Sequence, residues 1–131
     1  MKTKTEVKHA INWFEIPVKD INRAAKFYSA VFGINMHKEE MSGYKMAIFP
    51  GSDHPEDCTV HGALVESQGY EPSDKGALLY LNANPDLSVA LGKVEKAGGK
   101  ILKSKFAIGK YGFIAYLKDT EGNKVALHSE K

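Results

Sequence analysis

The side chains able to do chemistry are few and scattered. His54, Cys58 and His61 are spaced H-x3-C-x2-H, a pattern that invites zinc because imidazole and thiolate are its usual ligands. Three ligands in a turn-rich stretch with no second pair are a weak zinc signal, and a solvated loop with a strand behind it is the preferred reading. Cys58 has no base fixed near it in sequence, so a catalytic thiolate is not expected. Trp13 and Glu15 stand two apart in an alternating run, which puts an indole and a carboxylate side by side on one strand face. Lys100, Lys103, Lys105 and Lys110 cluster near Phe106 and Tyr111. They suit an anionic ligand or, as preferred here, an edge strand whose lysines discourage sheet-to-sheet pairing. Trp13, Tyr80, Phe113 and Tyr116 are the aromatic side chains available to line an apolar cleft, with core packing as their ordinary role.

The elements that must position these groups follow from the apolar spacing. Residues 11–18 alternate, with Phe14, Ile16 and Val18 on one face and Trp13, Glu15 and Pro17 on the other. Asp20 stands where a helix N-cap belongs. Ala24, Phe27, Tyr28, Val31 and Phe32 then make one helical face, and Gly33 closes the helix. Packing that helix on the Phe14/Ile16/Val18 face leaves Trp13 and Glu15 pointing the other way. Residues 34–38, 43–49 and 59–65 read as strands, with a charged loop at 50–58. A second loop or linker, ESQGYEPSDKG, leads to a buried-type strand at 76–82. Asn84 and Pro85 are expected to start a second helix, with Leu87, Ala90, Leu91 and Val94 as its apolar face and Gly98-Gly99 as its end. Short strands at 100–103, 112–118 and 124–128 follow, the last two joined by a tight turn at 119–123.

Composition narrows the classes. A chain of 131 residues with 43% hydrophobic residues is long enough for a core and is not disordered by composition. Its net charge of +2 does not argue for nucleic acid or an anionic membrane. With one cysteine, no intrachain disulfide forms, and a reducing compartment is allowed. The polar start MKTKTEVKHA, read as a frayed tail over residues 1–9, carries no apolar run, and no stretch is long enough to span a bilayer. A cytoplasmic protein is the default expectation.

The second half echoes the first at an offset of 66: Asp20 meets Asp86, Ala24 meets Ala90, Gly33 meets Gly99 and Gly43 meets Gly109. Each half is a βαβββ unit, which covers one sheet face with its helix and leaves the other open. Two halves side by side, within one chain or across a dimer, enclose a cleft.

The phrase IPVKDINRAAKFYSAVFG, a later AGGKI and the closing KDTEGNKVALH resemble the vicinal oxygen chelate superfamily, which includes glyoxalase I, bleomycin- and fosfomycin-resistance proteins and extradiol dioxygenases. The resemblance spans about residues 9–129. The D-x-x-R-A-x-x-F-Y helix and the D-x-x-G-N turn are specific for the fold and weak guides to reaction. The resemblance implies one α+β domain over 1–131, with modules at about 9–66 and 76–129. Its two βαβββ modules would form a curved, partly open mixed sheet with helices on the outside. It also implies a homodimer and a divalent metal that chelates two adjacent substrate oxygens and acts as a Lewis acid.

The superfamily's ligand positions fall on Trp13, with Glu15 one step along; near Gly62, with His61 adjacent; on Leu79, or Ala77 if the register slips; and on Ala126, with His128 two residues on. Trp13, Leu79 and Ala126 cannot bind a metal, so the usual set is missing. The expected function is therefore binding of a small apolar or aromatic molecule without a metal. Trp13, Glu15, Leu79, Phe113, Ala126 and His128 would line the site, and Glu15 and His128 would be its acid/base pair. The alternative is a glyoxalase-like lyase or dioxygenase-like enzyme with Zn, Ni, Mn or Fe on displaced ligands Glu15, His128 and His61. A third reading is a metal-free lyase or isomerase with Glu15 as base.

Overall fold

The computed structural model describes residues 10–51 and 60–131. The tail at 1–9, most of the loop expected at 50–58, and His54 and Cys58 of the H-x3-C-x2-H pattern lie outside the described residues. The first module is β1 (Trp13–Pro17), α1 (Ile21–Phe32), β2 (His37–Met41), β3 (Tyr44–Ile48) and β4 (His61–Glu66). The second is β5 (Tyr80–Asn82), α2 (Leu87–Leu91), β6 (Lys100–Ala107), β7 (Phe113–Lys118) and β8 (Lys124–Ser129). The strands form two open mixed sheets, ordered β1-β4-β3-β2 and β5-β8-β7-β6. In each, the first strand runs parallel to the last and the other pairings are antiparallel. This is an α+β fold of two βαβββ modules.

α1 forms where the spacing predicts. Asp20 caps it through a 3.0 Å bond from the Arg23 N–H, and Gly33, at φ 65°, ends it in the left-handed conformation. Its buried face is Ile21, Ala24, Ala25, Phe27, Tyr28 and Val31. α2 departs from expectation. Its N-cap is Asp86, not Asn84. Asn84 instead accepts from the Glu130 N–H, 2.8 Å away. Regular helix stops at Leu91, and a string of hydrogen-bonded turns carries the chain to Gly98 and Gly99. The offset of 66 holds where it matters: Asp20 and Asp86 are both N-caps, and Gly43 and Gly109 both have positive φ.

The helix-facing sides of both sheets and both helices share one core, in which Ile16, Tyr28 and Leu64 of the first module meet Leu87, Leu117 and Leu127 of the second. Among the described residues no ladder joins the two sheets; the turn at 119–123 joins the modules instead. Tyr28 donates to Asp119 at 2.6 Å, and Arg23 clasps Glu121 with bonds of 2.7 and 2.9 Å. Asn123 donates to the Pro17 carbonyl at 2.8 Å. Burial alone would push the Glu121 carboxyl up. Arg23, the Lys19 and Asp20 N–H groups and the Thr120 hydroxyl outweigh it and hold the carboxyl at about 2. Each sheet's other face, here called outer, lies on the side away from the shared core.

Candidate ligand-binding site

Strand register assigns every side chain to a face. Trp13 pairs with His61 and Glu15 with Ala63, while Ala63 and Val65 pair with Ile48 and Met46. Paired residues share a face, so the outer face of the first sheet carries Trp13, Glu15 and His61 over a floor of Ala63, Val65, Met46 and Ile48. Tyr44 belongs to the same face one step along β3. Phe14, Ile16 and Gly62 take the opposite side, against α1, as the alternation of β1 predicts.

On this outer face an indole and a phenol hold one carboxylate. Trp13 Nε1–H donates to Glu15 Oε2 at 3.0 Å, and the Tyr70 hydroxyl donates to Oε1 at 2.9 Å. Tyr70 comes from the linker between the modules, and its ring meets Tyr44 edge-on at 5.8 Å. It thus reaches from β1 to β3 and crosses β4, which explains why Ala63 and Val65 are buried on an otherwise open face. Its bond to Glu15, with partial burial, raises the Tyr70 hydroxyl above the ordinary phenol value. Trp13 remains 42% exposed. The result is a half-exposed indole wall locked to a carboxylate whose two oxygens already accept protein hydrogen bonds.

His128 lies on the outer face of the second sheet. Its neighbours there are Ile114 on β7 and Asn82 on β5. Nε2 sits 2.6 Å from the Tyr111 carbonyl oxygen. A carbonyl only accepts, so Nε2 carries a proton, and in the neutral form of the ring the lone pair is on Nδ1. Ala126 lies between Tyr116 and Tyr80. The neighbouring Tyr116 phenol raises the Tyr80 hydroxyl, and Ala126 between the two is fully buried. The small side chain fits because two aromatic rings flank it; a carboxylate there would not.

Several expectations need correction. Leu79 and Phe113 pack against the core. Leu79 is one residue out of phase with outward-facing Tyr80, and lines an apolar hollow of about 690 Å³ with Phe14, Phe32, Phe49 and Leu81. Phe113 lies under the Lys105 ammonium, 4.6 Å from the ring centroid, and Lys105 is bound to Asp86 at the start of α2. Glu15 and His128 do not meet within the chain: each occupies the outer face of a different sheet, with its own partners. Among the described residues no three His, Cys, Asp or Glu side chains converge on one point. Glu15, His61 and His128 are therefore not a divalent-metal site within one chain. Glu15 and His61 do share a face, and Gly51 abuts the His61 ring, where an added Cβ would lie 2.6 Å from Cε1. Sequence reasoning passed over Tyr70, whose signal was a lone aromatic in a polar linker, and Glu121, which looked like any turn residue.

The family described as bleomycin resistance protein-like N-terminal matches residues 11–52. A glyoxylase-like domain-containing protein from Didymella fabae is 34% identical over 123 residues, which cover 89% of this chain and 91% of that protein. The chain belongs to the vicinal oxygen chelate superfamily. Solved structures of the superfamily share the fold at lower identity. A glyoxalase/bleomycin resistance protein from Albidiferax ferrireducens T118 superposes with a TM-score of 0.68 at 17% identity, covering 94% of this chain and all of that one. A glyoxalase I variant from Zea mays gives 0.68 at 24% identity over 90% of this chain, which spans 46% of the maize chain's length. Among the described residues no helix is long and apolar enough to cross a membrane. The D-x-x-R-A-x-x-F-Y helix and the D-x-x-G-N turn are explained by the fold: Arg23 and Tyr28 of the one bind Glu121 and Asp119 within the other.

Proposed function

We propose that this protein binds a small apolar or aromatic molecule in a cleft formed between two copies of the chain, the outer face of the first sheet of one copy opposing the outer face of the second sheet of the other. Trp13 is the apolar wall, and Glu15 and His128 are the polar anchors. The observation that carries the reading is the Trp13–Glu15–Tyr70 arrangement: an indole left half exposed, yet fixed by a carboxylate that a linker phenol also holds. Preorganised aromatic surface with few placed polar groups is what small-molecule sites use. The second copy is supported by apolar side chains on both outer faces, with Trp13, Tyr44 and Met41 on one and Tyr80 on the other all well exposed.

Trp13 is the only tryptophan, so its emission reports the site directly. Light scattering should give twice the 14.4 kDa chain mass. The uncharged fluorophore N-phenyl-1-naphthylamine should bind and quench Trp13 by energy transfer, and Trp13→Ala should weaken its binding. Trp13→Ala and His128→Ala chains, each poor at binding alone, should regain intact sites when mixed and refolded together. No gain on mixing, or full binding by a monomer, refutes the shared cleft.

A further inference from the structure

The lysines of the second sheet form a pattern that edge protection does not explain. Register places Lys100 opposite Lys118, and Lys118 opposite Lys124. Three ammonium-bearing side chains thus stand in one row across β6, β7 and β8, all on the outer face. Like charges directly opposite one another destabilise a sheet. Lysine guards an edge strand, but only β6 is an edge; β7 and β8 are interior strands. Of the row, Lys118 reaches Asp74, at 3.4 Å.

The next row holds Lys103, Tyr116, Ala126 and Tyr80. Lys103 lies 4.8 Å from the Phe106 ring centroid and Lys124 lies 4.8 Å from that of Tyr116. The two rings meet at 6.0 Å and 64°. Each ammonium is therefore held over an aromatic face, by attraction to the ring's negative quadrupole. Among the described residues, neither Lys103 nor Lys124 has a carboxylate in ion-pair range. One end of this face is thus cationic, its middle is aromatic, and its far end carries Asn82 and His128.

We infer that the molecule bound on this face is an aromatic anion, its carboxylate, sulfonate or phosphate held by Lys103 and Lys124 and its ring laid against Tyr116 and Tyr80. The inference rests on the second sheet's outer face being a wall of the proposed cleft. It adds a charge to the ligand class and two residues that select for it.

The test uses two dyes that differ by one sulfonate: 8-anilinonaphthalene-1-sulfonate and uncharged N-phenyl-1-naphthylamine. The anion should bind the intact protein more tightly, and added salt should weaken it alone. Lys103→Gln/Lys124→Gln should cost the anion about tenfold in affinity and the neutral dye less than about twofold. Lys124→Arg should retain the anion. Lys93→Gln/Lys96→Gln removes the same charge beside the groove between α1 and the turns that follow α2 and should change neither. Unaltered thermal midpoints establish that the variants are folded. Equal affinity for the two dyes, or an equal loss in Lys93→Gln/Lys96→Gln, overturns the anion while leaving the cleft. Binding of neither dye overturns the cleft and the anion together.

Discussion

Replacing Glu121 with glutamine isolates the charge that ties the two modules together. Its side chain is fully buried. Oε1 accepts from the Lys19 and Asp20 N–H groups and Arg23 Nη2, and Oε2 accepts from Arg23 Nε and Thr120 Oγ1. A glutamine offers one acceptor oxygen and turns an N–H donor toward Arg23 or the backbone donors. Those contacts bring the carboxyl from its ordinary 4.5 down to about 2, which corresponds to about 3 kcal/mol of stability at neutral pH. The sign follows from the direction: a depressed carboxylate stabilises fully above its unfolded value, and that stability is lost as pH falls from about 5 toward 2. Urea unfolding of the protein and of Glu121→Gln at pH 7, 5, 4 and 3 reads the difference. The gap should be about 3 kcal/mol at pH 7 and fall below half of that near pH 3. A gap under about 1 kcal/mol at pH 7, or one that does not change with pH, refutes the assignment of Glu121 as the ionised centre of the junction.

Three further substitutions probe the packing and the site. Tyr28→Phe removes the 2.6 Å bond to buried Asp119 and should cost about 1–3 kcal/mol in urea unfolding. Gly62→Ala places a Cβ against the Phe14 ring and should cost about 1–3 kcal/mol, most of it recovered when combined with Phe14→Leu. Glu15→Ala leaves the Trp13 indole without its acceptor, so Trp13 anisotropy should decay faster while the thermal midpoint barely moves. An unchanged decay would show that packing, not Glu15, fixes the indole.

Local features were legible in the sequence and long-range ones were not. Asp20, the α1 face and Gly33 are set by chemistry within a dozen residues, so spacing alone found them. The strand faces of β1 and β8 were legible because each alternates; in β7 the alternation did not say which face turns outward, and Phe113 was expected in the cleft although it packs on the core. The stretch GALLYLN does not alternate, so nothing in it chose between Leu79 and Tyr80 as the outward residue, and the structure chose Tyr80. The start of α2 was misplaced because Asn84-Pro85 is a good helix opening in isolation. In the fold, the Asn84 amide oxygen serves Glu130, and Asp86 accepts from the Ser88 N–H. Tyr70 and Glu121 depend on partners 55 and about 100 residues away, and no local pattern announces such partners. The lysine row needed the register of β6, β7 and β8 before Lys118 and Lys124 joined Lys100.

The same core that makes the fold legible separates the two halves of the candidate site. Buried side chains of α1 reach the 119–123 turn of the other module, so the helix-covered faces of both sheets close on each other. Trp13 with Glu15, and His128 with the lysine row, are left on faces turned away from that core. Among the described residues of one chain, neither face has an opposite wall. Both keep features that open solvent does not require: a carboxylate clamped by an indole and a phenol, and ammonium groups held over aromatic rings. In the proposed dimer, a second copy related by a two-fold axis would supply each face with the other. It would set the acidic, tryptophan-bearing wall against the basic, tyrosine-bearing one. The proposed dimer and the proposed anion are therefore linked in one direction. If Lys103→Gln/Lys124→Gln lowers anion binding, Trp13→Ala in the partner copy must lower it too, and a loss confined to the lysine variant would place the anion on an open sheet face instead.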